Sequence, residues 1–446
     1  MKLTFLLPAA LWSSMIFKCL SAEPERMSYL DNGQVKVGVD LNLGGAITWL
    51  SRGKGENLVN SYDYGRQIQM SYYSGPVPYE TAGQKPADHW KHLGWNPVQA
   101  GDDFHHGSKV LEHTNDGRVL HVKCTPLQWP LNQVPAECTI ETWLELDGLA
   151  VKARARLTNA RSDKTPFPAR LQELPALYAN APYHRVISYT GDRPFTGADP
   201  ASIPMSPGPH PWSFWMATEQ WSAVLDAHEQ GVGLITPGRI WFTGGFAGQP
   251  GPSDPHATST GYLASQSQEI LDHNIVFDSR FEILPGSLRE IRERASKQCS
   301  RQDLPAWIFS KDRQGWHCQH ASDHGWPIDG MIHLDLKESD PQLISPPVFW
   351  QADAAPYLTI QAAIKSPHRN ATVYWRRLGQ PAPGPQDSQD FPINGDGEYH
   401  RYVVKLSDAK SYTGAMIQLR LDPVPEGSEG AWMKLKYLVL SKTPPP

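Results

Sequence analysis

The sequence predicts an all-β chain folded as two successive sandwiches, and three observations predict it. Short runs of alternating apolar and polar residues recur from Val35 onward, which is the period of a half-buried strand. Gly- and Pro-rich segments punctuate these runs, and none carries the period of a long helix. At 446 residues the chain is too long for one compact core, so two domains are expected, and composition changes near residue 300.

The first 22 residues read as a secretory signal. Lys2 is the charged start, Leu3 to Phe17 is mostly apolar, and Ser21-Ala22 offers a cleavage point, although Lys18 and Leu20 depart from the ideal pattern. The expected mature protein is secreted or periplasmic, with 23–302 as a catalytic domain and 303–446 as an accessory domain. No later run approaches the length of a membrane span. The formal charge of −5, without a Lys/Arg block, argues against nucleic acid or anionic membrane as the main partner. Cys124, Cys138, Cys299 and Cys318 remain after the signal, an even number that in an exported chain suggests structural disulfides. Proximity favours Cys124–Cys138 and Cys299–Cys318 among the three pairings.

Val35, Val37 and Val39 alternate along a first strand, and a Gly44-Gly45 turn leads into Ala46–Leu50. Residues 66–73 form another strand candidate. Ile140, Thr142, Leu144 and Leu146 then share one face, and the Asp147-Gly148 turn leads to Val151, Ala153, Ala155 and Leu157. Glu141 and Glu145 thereby lie across from Lys152, Arg154 and Arg156 as a charge ladder, which is a structural reading of both glutamates. Further strands are expected at 184–189, 213–217, 222–228, 232–236, 239–243, 258–263 and 275–283. Ile283–Ser287 followed by Leu288–Arg292 fits a strand or a short helix, and strand is favoured because it follows a Pro285-Gly286 turn. Beyond Trp307, seven strands at 330–336, 347–350, 357–364, 371–376, 400–406, 414–421 and 432–440 come close to the eight of a jelly-roll sandwich.

Two resemblances extend this reading. Val37-Gly38-Val39-Asp40 with Gly44-Gly45-Ala46-Ile47-Thr48-Trp49-Leu50, and the closing Leu284-Pro285-Gly286-Ser287, resemble the galactose-mutarotase-like domains. That resemblance implies a large twisted β-supersandwich, a fold found in aldose epimerases, glycoside hydrolases, polysaccharide lyases and non-catalytic sugar-binding domains. Tyr357-Leu358-Thr359-Ile360, Val373-Tyr374-Trp375, Gly397-Glu398-Tyr399-His400 and Ile417–Pro423 look like the sandwich modules appended to secreted polysaccharide-degrading proteins. Fold alone does not fix chemistry.

The stretch Asn60–His106 is the candidate site wall. Aromatic platforms mixed with hydrogen-bonding groups suit a ligand with apolar faces and hydroxyl edges, which describes a sugar. Tyr64, Arg66, Tyr72, Trp90, His92 and Trp95 are its candidate binding residues, joined by Arg170 and Tyr178 from a later strand candidate. That later segment also holds Glu173, which on a strand shares its face with Leu171 and Leu177 while Arg170 and Gln172 lie opposite; these apolar neighbours disfavour its charged form and would prepare it as a general acid. The bland alternative is a buried glutamate paired with an arginine. Asp102 and Asp103 are candidates for the second carboxylate of a glycosidase, although Gly-Asp-Asp is also ordinary turn chemistry. Asp63 is a weaker alternative. His89 is a candidate catalytic imidazole, able to serve a lyase while Arg66 or Arg170 neutralises a uronate. The His89/His92 spacing and the His105-His106 pair lack a matched carboxylate motif, so no metal is assigned. No cofactor is expected, apart from a structural calcium that accessory sandwich modules often hold.

Glycosidic bond cleavage in a poly- or oligosaccharide is the leading expectation, because the candidate wall is richer in Asp than in Arg or Lys. A uronate lyase and a non-catalytic glycan-binding protein are the alternatives.

Overall fold

The computed structural model describes residues 26–206, 211–301 and 303–444, so the expected signal at 1–22 lies outside the described residues. Its regular structure is almost entirely antiparallel strand, arranged in four sheets. A ten-stranded sheet runs in the order Met27–Asp31, Val35–Asp40, Ala46–Arg52, Ile68–Ser71, Arg170–Ala179, Thr260–Glu269, Trp241–Ala247 and Ser213–Met216, with Pro97–Val98 and Leu127–Gln128 attached beside Ile68–Ser71. A nine-stranded sheet is built around Val276–Ser287, Ala150–Asn159 and Cys138–Asp147.

The alternating residues explain why the two sheets stack. Val35, Val37, Val39, Ile47 and Leu50 from the first meet Leu120, Val122, Ile140, Leu144, Val151, Leu157 and Ile283 from the second in one buried core. Each fully buried side chain of this kind contributes about 1.5–3 kcal/mol. The Gly44-Gly45 turn fits this interior closely. Both residues have positive φ, 58° and 73°, and a Cβ on Gly45 would fall 2.4 Å from Val122. Only glycine meets both demands.

Glu141 and Arg156 are directly opposed, as are Glu145 and Lys152. The ion pairs nevertheless run to other partners. Arg154 and Arg156 reach Asp278 on the far neighbouring strand, while Glu141 takes Lys123 and His121. The ladder therefore spreads over four strands.

Two expectations are corrected. The segment after Ser287 is a helix, Leu288–Cys299, not a continuing strand. Pro285 and Gly286 lie inside the last strand, paired with Val232 and Gly231, so they do not mark a turn. The helix start is a capping box in which the Ser287 hydroxyl accepts from the Glu290 backbone amide and the Glu290 carboxylate accepts from the Ser287 amide. Ile291, Ala295 and Cys299 then bury against Trp221, Ala223, Leu225 and Ile235 on the outer face of the nine-stranded sheet. The helix approaches so closely that a Cβ on Gly233 would lie 2.5 Å from Ile291. Arg52 pairs with Glu290 at 2.8 Å and helps hold its carboxyl down at about 2.

The second correction concerns the cysteines. Cys124, Cys138, Cys299 and Cys318 are all free thiols. Cys124 and Cys138 sit in the main core, Cys299 under the helix, and Cys318 against the core of the C-terminal sandwich. Burial pushes the Cys124 thiol up to about 12, which keeps it an inert apolar residue.

The C-terminal residues form two six-stranded antiparallel sheets, one centred on Trp432–Ser441 and Tyr357–Lys365, the other on Ala415–Asp422 and Asn370–Arg377. Their inner faces enclose a second core that includes Trp316, Trp350 and Trp375. Arg313, from this half, is held by Asp272 of the first at 2.7 Å and by Asp323 at 2.6 Å. No helix among the described residues is long and apolar enough to cross a membrane.

Ser287→Ala removes one half of the capping box and should lower stability by about 1 kcal/mol. Ile291→Ala opens a cavity under the helix and should cost about 2–5 kcal/mol. Urea unfolding of both variants checks these values, and a Ser287→Ala variant as stable as the parent would contradict the capping account. In denaturant without reductant, Cys124, Cys138, Cys299 and Cys318 should all react with a thiol reagent.

Candidate functional site

A cleft of about 760 Å³ opens on the face of the ten-stranded sheet turned away from the second sheet. A β-bulge in Arg170–Ala179 makes it. Glu173 pairs with Ser71 on one side and Gln266 on the other, and the next paired residue is Ala176 on both sides. Leu174 and Pro175 therefore occupy the space of one residue, and the alternation changes phase. Leu174 and Leu177 point into the main core, whereas Glu173 and Tyr178 line the cleft. Strict alternation would have put Glu173 on the side of Leu177, so that expectation is corrected by the extra residue.

Glu173 is held by two phenols. Tyr73 donates to Oε2 at 2.9 Å, and Tyr262 donates to Oε1. Burial raises the carboxyl above the ordinary glutamate range, opposed in part by the hydrogen bonds from Tyr262, Tyr73 and Ser71. The phenols of Tyr73, Tyr178 and Tyr262 are pushed well up by their own burial and by the carboxylate, so all three remain protonated donors. Tyr178 and Tyr262 face each other in register with rings 4.7 Å apart, and Trp212 lies 4.8 Å beyond Tyr262. Together they form an apolar wall beside the acid.

The loop side supplies the opposite wall. Asp63, Arg66, His89, Trp90, His92 and Asp103 all line the cleft, with Trp129 behind them. Trp90 and Trp129 meet edge to face at 6.0 Å. The Trp90 indole donates to Asp103 Oδ2 at 2.7 Å, which fixes both residues. Arg66 faces the cleft, yet its guanidinium is occupied by Asp63 at 3.2 Å and by the Thr258 carbonyl at 2.8 Å, and it lies over the Tyr62 ring.

Of the residues singled out in the sequence, the cleft thus brings together Glu173, Asp103, Asp63, His89, Arg66, Trp90, His92 and Tyr178. Five others lie elsewhere. Asp102 is fully buried. Its Oδ1 accepts from the amides of Phe104 and His106, and Oδ2 from the amide of Gln133. It folds the turn and has no access to a ligand. Tyr72 is fully buried, with its ring against Phe277 in the core, because strand alternation sends Tyr73 to the cleft and Tyr72 inward. Trp95 is likewise a core residue. Tyr64 packs on Leu43, Ala46 and Ala100 and meets His105 edge-on. Arg170 lies outside the lining and donates to the His92 carbonyl at 2.9 Å, tethering the loop that carries His89, Trp90 and His92.

Sequence reasoning missed Tyr262 as part of the site, because its place opposite Tyr178 is a matter of strand register. Asn96 and Ser71 were also missed. Asn96 lines the cleft and donates to Ser71 Oγ at 3.2 Å. Tyr73 carried a usable signal, since it alternates with Tyr72 at the end of the strand candidate 66–73.

No family model matches the sequence, and no curated protein matches it. Among solved structures, the chain is similar to a galactose mutarotase related enzyme from Lactobacillus acidophilus, at 10% identity over 59% of this chain and 98% of that one, with a TM-score of 0.38. It is also similar to a galactose mutarotase-like protein from Lactobacillus casei, at 11% identity over 58% of this chain and 99% of that one, with a TM-score of 0.36. A low affinity xylan binding module from Roseburia intestinalis matches 31% of this chain and 96% of its own length at 11% identity, with a TM-score of 0.23. Likeness this distant does not bear on activity, which has to be argued from the cleft itself.

A carboxyl whose folded-state pKa is raised stabilises the fold fully below its unfolded value, and that contribution is lost as pH rises through the folded value. Thermal unfolding of Glu173→Gln and the parent should therefore diverge as pH rises through and above the ordinary glutamate range, with the variant gaining relative to the parent. A constant difference across that range would contradict a raised Glu173.

Proposed function

We propose that the cleft binds a poly- or oligosaccharide and that Glu173 acts as the proton donor in cleaving a glycosidic bond, making the chain a glycoside hydrolase. One observation carries the reading. A single glutamate, raised by burial and oriented by Tyr73 and Tyr262, sits at the base of a cleft walled by Tyr178, Tyr262, Trp212, Trp90 and Trp129. Aromatic faces suit the apolar faces of pyranose rings, and the polar groups between them suit hydroxyl edges.

In the proposed reaction Glu173 gives its proton to the glycosidic oxygen as the bond to the anomeric carbon breaks. Asp103, on the loop wall and fixed by the Trp90 indole, serves as the second carboxylate. It either activates a water or bonds to the anomeric carbon, and the separation between the two carboxyls across a bound sugar decides which. The tyrosine hydroxyls reorganise little during the transfer, since they already point at the Glu173 oxygens. The proposed setting is an exported protein, with the C-terminal sandwich docking or stabilising.

A uronate lyase needs a cation to neutralise the substrate carboxylate. Arg66 is engaged by Asp63 and Thr258, and Arg170 is engaged by the loop backbone outside the cleft. That favours the hydrolase over the lyase.

Reducing ends released from a panel of glycans measure the activity. Glu173→Gln should lower kcat about 10²–10⁴-fold on the responsive glycan, while still binding it, and Asp103→Asn should also lower kcat. Trp90→Ala should raise KM through lost stacking and also lower kcat through a loosened Asp103. Full activity in a folded Glu173→Gln variant would remove Glu173 from the mechanism. Products absorbing in the ultraviolet would select the lyase, and tight binding without any product would select a non-catalytic role.

A further inference from the structure

The C-terminal sandwich carries a second cluster of chemically capable side chains, remote in kind from the cleft. The short strand Ser322–Asp323 pairs with Ile332–Asp335, with Ser322 opposite Asp335 and Asp323 opposite Leu334. The His324 amide continues this ladder by donating to the His333 carbonyl at 3.0 Å. His324 and His333 are therefore direct cross-strand neighbours, and Asp335 lies diagonally from His324. Ile332 and Leu334 point into the core, so alternation sends His333 and Asp335 to the outer face.

The side chains converge there. The two imidazoles stack at 3.7 Å, and His324 Nε2 lies 3.0 Å from Asp335 Oδ1. One donor atom from each of the three residues lies within 4.8 Å of the others. We propose that His324, His333 and Asp335 form a binding site for a divalent transition ion of the zinc class, with at least one coordination position left open.

The donor set decides the class of ion. Two imidazoles and one carboxylate are a common catalytic-type zinc set, whereas calcium takes about six to eight oxygen ligands. The site therefore differs from the oxygen-rich calcium expected of an accessory sandwich module. With metal–ligand bonds of about 2.0–2.2 Å, donors around a tetrahedral ion sit about 3.4 Å apart. The present cluster reaches that spacing when the stacked rings splay and His324 exchanges its hydrogen bond to Asp335 for the ion. The backbone need not move, because the hairpin register already holds the three positions on one face. Trp432, registered opposite Asp335, closes one side with its ring 5.9 Å from that of His333. Lys434 is registered opposite His333, but its ammonium rests over the Trp432 ring at 5.0 Å, and solvent screens it.

The test is calorimetric titration of the full chain, stripped with chelator, with zinc chloride and separately with calcium chloride. The parent should take up one equivalent of zinc at this site and no calcium. Asp335→Asn and His324→Ala should each weaken zinc binding by at least about tenfold. His324 is exposed, so its replacement leaves the core intact, and circular dichroism confirms folding of both variants. Absence of zinc uptake by the parent, or unchanged zinc affinity in both folded variants, would overturn the proposal. Uptake of calcium at the same residues would overturn the assignment of ion class.

Discussion

The site depends on one extra residue in one strand. Between Glu173 and Ala176, Leu174 and Pro175 are set against a single residue on each neighbouring strand. Ahead of the bulge, the phase of the strand places a carboxyl on the open face in the middle of a ten-stranded sheet. Behind it, Leu177 still fills the core, and Tyr178 joins Glu173 on the open face. Without that phase change, Leu174 and Leu177 would face opposite sides, and Leu177 would leave the core wherever Glu173 faced the cleft. Burying the carboxyl disfavours its charged form, and the hydrogen bonds from Tyr73 and Tyr262 offset part of that cost, each bond to a charged group contributing about 1.5–3 kcal/mol. The result is a carboxyl held in a fixed orientation with its neutral form favoured, which a flexible surface glutamate would not be.

The loop wall is built by the same principle of divided labour between neighbours. Tyr72 enters the core while Tyr73 reaches Glu173. Asp102 is consumed by backbone amides, and that fixed turn presents Asp103 to the cleft. Trp95 anchors the loop in the core while Trp90 faces the cleft and holds Asp103. In each pair one residue supplies the rigidity that makes the other usable. Arg170 contributes from the opposite side, pinning the loop through the His92 carbonyl.

Much of the strand pattern was legible because half-buried strands announce themselves by alternation. Val35–Asp40, Cys138–Asp147, Ala150–Asn159 and the later strands of the C-terminal sandwich follow from it closely. The helix Leu288–Cys299 was marked by Ser287 and Glu290, three residues apart, but the adjacent Pro285-Gly286 was misread as a turn. Alternation carries no mark of a bulge, so the company kept by Glu173 could not be read from its neighbours. Contacts set by register between distant strands were equally hidden, among them Tyr178 with Tyr262 and His324 with His333. The cysteines misled because an even number in an exported chain is a statement about compartment. Their positions in three separate packing environments are a statement about geometry.

The central claim is that Glu173 is an abnormally weak acid inside a cleft proposed to bind a saccharide. A direct measurement is the pH titration of the Glu173 side-chain carboxyl by carbon NMR, using Glu173→Gln to assign its signal, with and without a bound oligosaccharide. The account predicts a midpoint above the ordinary glutamate range that moves when the saccharide binds. A midpoint in the ordinary range, indifferent to every glycan that binds, would contradict it.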